Sequence, residues 1–419
     1  MPRTAEPAGP RLSNQQITLV ILLASAILTL SMGLRQSLGI FQPPMKSAIG
    51  ISTATFGLAM AIQSIVWGLS QPLIGMLGDR FGARPVLLAS ALTYSGGLVL
   101  MSAGSSPMAL DLGCGLIVGI GISGTGFGVL IGTVSRMVPQ ERRSQTVGLV
   151  SALGSIGTLI LAPFGQVLIA HFGWRLALLA FAGVATIMAG ASMAIRGDRK
   201  IAGPASSDDA HAGPLGALKA AATHRGFALM TLAFFACGFQ LMFLTAHLPQ
   251  YLALCGLSPA TGAAALGLIG LFNAIGSYVF GQLGARFSRR RLLSGIYVAR
   301  TLIIIAYTAA PPTETTTLLF AALMGFLWLG VVPLVGSLIG SLFGMRHFNT
   351  LFGLVFFSHQ LGAFVGAWLG GLSLDLTGSF DVAWKSMIVI GVLAALLQWF
   401  MDERPSPPRD AVQADPHAA

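Results

Sequence analysis

Twelve apolar runs, each long enough to cross about 30 Å of hydrocarbon as a helix, set the terms for everything else in this chain of 419 residues. With soft boundaries they cover 17–41, 53–76, 85–104, 110–135, 145–170 and 174–195, then 227–254, 261–284, 291–310, 316–343, 349–374 and 382–401. Hydrophobic residues make up 54% of the chain and charged residues 9%, too few to keep such a surface in water. In lipid every backbone N–H and C=O must be satisfied within the protein, so these runs are expected to be helices. The sequence therefore predicts an all-α membrane protein with twelve transmembrane helices in two pseudo-symmetric six-helix bundles.

Residues 1–14 read as an N-terminal tail, 15–195 as the first bundle, 196–225 as a charged, Gly/Pro/Ser-rich linker, 226–402 as the second bundle and 403–419 as a disordered tail. No small-residue cleavage site follows the first run, which is expected to be retained as a span. The net charge of +10 is read from its distribution. Lys46, Arg175 and Lys385 fall in loops on one side, Arg35 and Arg300 lie within spans, and every other Lys and Arg falls on the side of the two termini. By the positive-inside rule both termini are expected in the cytoplasm.

Several functional classes find no support. No basic region interleaved with aromatics suggests nucleic-acid binding. Cys114, Cys237 and Cys255 show no metal or disulfide spacing and read as packing residues. The Gly-rich fourth run is no phosphate loop; its glycines fit close helix packing. No cofactor and no enzymatic constellation is expected, although a non-transporting sensor or scaffold remains an alternative of another class.

The two halves resemble each other, as in transporters assembled from repeats. At an offset of 206 residues Gly75, Leu77, Gly78, Arg80, Phe81 and Arg84 fall on Gly281, Leu283, Gly284, Arg286, Phe287 and Arg290. The loop Gly75-Met-Leu-Gly-Asp79-Arg80-Phe-Gly82-Ala-Arg84 is similar to the signature of the major facilitator superfamily. That resemblance implies two bundles rocking about a midplane site by alternating access, with Gly75, Asp79, Arg80, Gly82 and Arg84 as a gating motif. A carboxylate such as Asp79 suits the positive end of a helix, and in the superfamily the corresponding acid docks on a helix of the opposite half. The plainer reading is a basic topogenic turn.

Within the superfamily the chain resembles bacterial relatives of the monocarboxylate porters, which implies a bacterial inner-membrane location. GLRQSLGIFQPPM places Arg35 where those porters carry a basic residue. ALGLIGLFNAIGSYVFGQLG places Asn273 at an acidic or amide position, and Ser277 where the porters carry a carboxylate-binding arginine. The anion anchor must then lie elsewhere.

Ionisable groups within spans are expensive and point to function. Arg35 and Arg300 have no carboxylate at comparable depth to pair with, so an anionic substrate is expected to compensate one of them. Arg35 is the first choice as anchor, against snorkelling toward headgroups. For Arg300 the alternative is contact with backbone carbonyls or a neighbouring helix. His359 is preferred over Gln360 as an inward-facing group, against an imidazole bonded within its bundle. Gln240 and His247, two turns apart, are expected to form a polar stripe toward the axis, with a hydrogen-bond ladder between helices as the alternative for Gln240. Asn273 is either a ligand or interhelical glue.

These residues predict a secondary carrier for a small organic anion, coupled to a proton or to a counter-substrate, with the lipid bilayer as its other partner. An exporter of drug-like or hydrophobic compounds is the alternative, suggested by Phe- and Met-rich spans and by the partial antiporter-like run Gly157–Gly165.

Overall fold

A computed structural model describes residues 14–137, 140–195, 221, 223–343 and 348–403. Most of the linker and the residues after 403 lie outside that set. Among the described residues the chain is almost wholly helical. The first bundle holds α1 (Asn14–Gln36), α2 (Thr53–Phe81), α3 (Ala83–Ala103) and α4, assembled from Pro107–Leu110, a π-helical stretch Asp111–Ile117, Val118–Thr125 and Phe127–Met137. Helix Gln140–Met193 supplies the last two spans, α5 (140–172) and α6 (174–193), which part at Gly173. Its apolar portion, 152–193, is 42 residues long, about 63 Å at 1.5 Å per residue and twice what one crossing needs. At Gly173 φ is +78°, the left-handed region that glycine tolerates, and the chain turns back there. The second bundle holds α7 (Arg225–Leu254), α8 (Pro259–Arg286), α9 (Arg289–Ala309), α10 (Glu314–Leu327 and Val331–Phe343), α11 (Phe348–Thr377) and α12 (Asp381–Trp399).

Local chemistry fixes the helix starts. Ser52, Ser258, Ser288 and Thr313 each accept a backbone N–H of the first turn through the side-chain oxygen, satisfying donors that a helix leaves free. Glu403, the first residue assigned to the C-terminal tail, adds to the cap of α9. Its carboxylate accepts from the Ser288 hydroxyl at 3.1 Å and from the Arg290 backbone N–H.

One boundary departs from expectation in a way that matters for the site. The first apolar run, 17–41, stops ahead of Pro43 and Pro44, which puts Arg35 toward its outer end. Instead a short 3-10 turn, Leu38–Phe41, leads into a further helix, Gln42–Ile49, with the prolines in its first turn. Proline is tolerated there because the N–H it lacks has no helical partner anyway. The helical path runs on to Ile49, and Arg35 lies well inside it.

The two bundles meet along two seams, α2 against α11 and α5 against α8. An even number of crossings puts both described ends of the chain on one face, the near face. Toward the opposite, far face the seams are tight: a Cβ on Gly57 would lie 2.4 Å from Ala367 O, and one on Gly371 2.5 Å from Thr53 O. The Asp375 carboxylate of α11 accepts the backbone N–H groups of Thr53 and Ala54, at 3.2 and 2.7 Å, and so caps α2 of the opposite bundle. Toward the near face the same pair of helices separates. A Cβ on Gly75 of α2 or Gly353 of α11 would meet nothing within 4 Å. The α2/α11 seam is closed on the far face and parted toward the near face.

Asp375→Ala should loosen the far-face closure. With Ala54→Cys as reporter, maleimide labelling of the purified protein should accelerate about fivefold, matching the roughly 1 kcal/mol that an acid contributes at a helix N-terminus.

Candidate functional site around Arg35

Arg35 closes the last turn of α1, where the carbonyl end of the helix favours a cation. It is 4% exposed, so it does not reach the headgroups. Its Nη2 donates to Ser64 Oγ of α2 at 3.5 Å and to Met242 Sδ of α7 at 3.4 Å, and its Cζ lies 4.8 Å from the Trp67 ring centroid. The first contact is long, and a thioether is a weak acceptor. The Nε–H has no partner. Among the described residues no carboxylate pairs with this guanidinium. A buried cation is therefore held between the bundles by two weak acceptors and one aromatic face.

From Arg35 an aromatic ledge crosses the α2/α11 seam. Trp67 meets Phe356 of α11 edge to face, centroids 5.1 Å apart, and is oriented by its Nε1–H donating to Gln71 Oε1 at 2.7 Å. Phe356 lies parallel to the His359 ring at 6.0 Å, and Phe234 of α7 covers that ring at 5.1 Å. His359 Nδ1 is buried and unpartnered. Its neighbour Gln360 faces the opposite bundle, with Cβ and Cγ both 3.2 Å from where a Cβ of Gly68 would stand. Gln360 is fully buried, and neither polar atom of its amide has a partner. The sequence reading chose His359 over Gln360 as the inward group, yet it is Gln360 that faces across the seam.

The other expected ligands lie elsewhere, which corrects the single polar stripe predicted for α7. Gln240 turns into the second bundle and donates to Met387 O of α12 at 3.3 Å. His247 lies in the far-face closure. Its Nε2 is 2.6 Å from Ala367 O, which can only accept, so Nε2 carries the proton and Nδ1 accepts from the Gln42 amide at 3.2 Å. Phe243 fills the space between them, packed on His247, Phe380 and Trp384. Arg300 is 2% exposed and donates to Leu327 O and Trp328 O at the break in α10. Asn273 donates to Ser155 Oγ of α5 at 3.0 Å and accepts the Leu329 backbone N–H at 2.9 Å. Ser277 donates back to Asn273 at 3.3 Å.

In the gating motif, Gly82 adopts φ +86° in the turn between α2 and α3, and its N–H donates to Gly78 O at 2.9 Å. Arg80 and Arg84 are exposed, and Gly75 touches no other element. The Asp79 side chain lies outside the described residues.

Sequence reasoning missed Ser64, Trp67 and Met242. A signal existed for two of them, since Ser64, Trp67, Gly68 and Gln71 recur at the spacing of one helix face. The breaks in α4 and α10 give a second pointer. A Cβ on Gly126, between the last two segments of α4, would stand 3.6 Å from both Trp67 Cζ2 and Met32 Cε, so that break adjoins the Arg35 ledge.

The family model of the major facilitator superfamily matches residues 21–367. The chain belongs to the major facilitator superfamily. As such it is a transporter and an integral membrane protein built of twelve spans. Rat monocarboxylate transporter 13 is 27% identical over 391 residues, covering 91% of this chain and 89% of the relative. Human monocarboxylate transporter 11 is 28% identical, covering 94% and 86%. An uncharacterised transporter of the superfamily from Bacillus subtilis (strain 168), YcxA, is 24% identical, covering 88% and 92%. A crystal structure of a bacterial homologue of the human lysosomal transporter Spinster, inward-facing and unoccupied, superposes with a TM-score of 0.77 at 16% identity, covering 95% of this chain and all of that one.

Removing the uncompensated charge should stabilise the ligand-free transporter. Arg35→Met is expected to raise its melting temperature, since replacing buried ions with apolar groups is worth about 1–4 kcal/mol where internal pairing is poor. A lower melting temperature would mean that the guanidinium is satisfied as it stands.

Proposed function

We propose that the protein carries a small organic anion of the monocarboxylate type by alternating access, with Arg35 as the anchor of the carboxylate. The observation that carries this reading is the buried guanidinium between the bundles, held by Ser64 Oγ, Met242 Sδ and the Trp67 face without an acid. A carboxylate entering there gains a bidentate, charge-assisted contact that no acid among the described residues supplies. The unpartnered Gln360 amide and His359 Nδ1 offer hydrogen bonds from the second bundle, so an occupant would touch both halves. The Phe356 and Trp67 rings suit a short apolar tail. Identity to the monocarboxylate transporters over most of both chains supports the same class.

The closed far face and the parted near face describe one end state of such a cycle. With both termini in the cytoplasm of a bacterial inner membrane, as the distribution of Lys and Arg implies, the site opens inward here. Asp375 and the Gln42–His247 pair are contacts that must release for the opposite state. Coupling to a proton or to a counter-substrate completes the cycle, with His359 Nδ1 as a proton acceptor beside the anion.

Proteoliposomes containing the purified transporter should take up radiolabelled L-lactate or another two- to four-carbon monocarboxylate. Arg35→Ala should lower apparent affinity at least about 30-fold, the equivalent of roughly 2 kcal/mol for a truncated buried charge pair. Arg35→Lys should recover only part of it, because an ammonium cannot bind both oxygens in a plane. Undiminished uptake by Arg35→Ala, with an unchanged gel-filtration profile, would remove the anchor. Extrusion of lipophilic cations without monocarboxylate uptake would favour a drug exporter.

A further inference from the structure

The interior of α10 is broken where no water is at hand. Its segments Glu314–Leu327 and Val331–Phe343 are separated by Trp328, Leu329 and Gly330, which frees backbone groups that must find partners inside the protein. Both sides of the break are served by side chains that the sequence had suggested as substrate ligands.

On the carbonyl side, Arg300 of α9 donates through one Nη2 to Leu327 O at 2.5 Å and to Trp328 O. These are the terminal carbonyls of the first segment, the negative end of its dipole, so the guanidinium finds its compensation there without an acid. Cys237 of α7 lies on the same carbonyl, Sγ 3.9 Å from Trp328 O, and is fully buried. On the amide side, Leu329 N–H donates to Asn273 Oδ1 of α8 at 2.9 Å. The other end of the same carboxamide donates to Ser155 Oγ of α5, in the first bundle, at 3.0 Å. Around the break α8 and α10 touch almost backbone to backbone: a Cβ on Gly276 would fall 1.7 Å from Phe326 O, and one on Gly325 2.8 Å from Ile269 O. The break is thus enclosed and pinned from two sides, and one of its pins crosses to the other bundle.

We propose that Arg300 and Asn273 are positioning residues: Arg300 pins the break in α10, and Asn273 ties the pinned break to α5, so that the hinge is released when the bundles part along α5 and α8. Substrate contact plays no part in this role. The guanidinium is spent on helix-end carbonyls, and both ends of the Asn273 amide are engaged.

Cys237 makes the hinge directly observable without any substrate. With Cys114→Ser and Cys255→Ser it is the only thiol in the chain, and its labelling by N-ethylmaleimide in detergent reports exposure at Trp328. Arg300→Gln and Asn273→Ala should each accelerate labelling at least about tenfold while helical circular dichroism and gel-filtration profile stay unchanged. Arg300→Lys should remain within about threefold of the parent, because an ammonium still donates to both carbonyls. Ser155→Ala, which cuts the tie but leaves the pin, should fall between. Unchanged labelling in Asn273→Ala and Arg300→Gln would overturn the proposal, as would equal acceleration by Arg300→Lys and Arg300→Gln. Should Arg300→Gln fail to fold, Asn273→Ala and Ser155→Ala decide: acceleration in both supports the hinge, and parental rates in both overturn it.

Discussion

A charge placed in hydrocarbon without water must be answered by something, and this fold gives two different answers. Arg300 is answered from within, by the open carbonyl end of a broken helix. Arg35 is answered only by a thioether, a distant hydroxyl and an aromatic face. A single chain thus contains its own control: two arginines, both nearly inaccessible, of which one has its charge absorbed by the backbone and the other keeps it available. The functional reading of Arg35 rests on that contrast more than on its position in any motif.

The crossings and the duplication were legible because both are long-range regularities of hydropathy, and lipid allows few alternatives to a helix. The site was less legible, for reasons that differ residue by residue. The snorkelling alternative for Arg35 arose because the apolar run stops at 41, ahead of Pro43-Pro44, whereas prolines in a first turn start a helix equally well. Gln240 and His247 lie two turns apart, which on a straight helix is one face. However, α7 is buried along most of its length, so that helix has neighbours all around and no face reserved for the axis. Gln240 accordingly bonds α12 while His247 bonds α11. Asn273 and Arg300 were recognised as expensive polar groups, but the demand they satisfy, a break in α10, is signalled only by Gly330 and Pro333 within the apolar run GFLWLGVVPL.

On the closed side of the α2/α11 seam backbone lies on backbone at Gly57 and Gly371, and the α5/α8 seam has a similar contact at Gly270. Contact of this kind needs no side-chain rearrangement to separate and re-form, and in lipid it is van der Waals proximity and not hydrophobic exclusion that holds it. The polar contacts across the closed face, Asp375 on α2 and Gln42 with His247, then add direction to an otherwise featureless surface. Identity to the monocarboxylate transporters spans both bundles and not one alone, as expected where the halves must remain matched to each other.

The two breaks sit at equivalent places in the duplicated halves: at an offset of 205 residues Gly126 falls on Val331, beside Trp328–Gly330. Their surroundings are not equivalent. The α4 break follows glycines packed on Tyr94 and Ser90 and adjoins Trp67, whereas its counterpart is held by a cation and a carboxamide. On the hinge reading the two halves differ in compliance, and strain arising at the centre is taken up first by the half that carries Arg35.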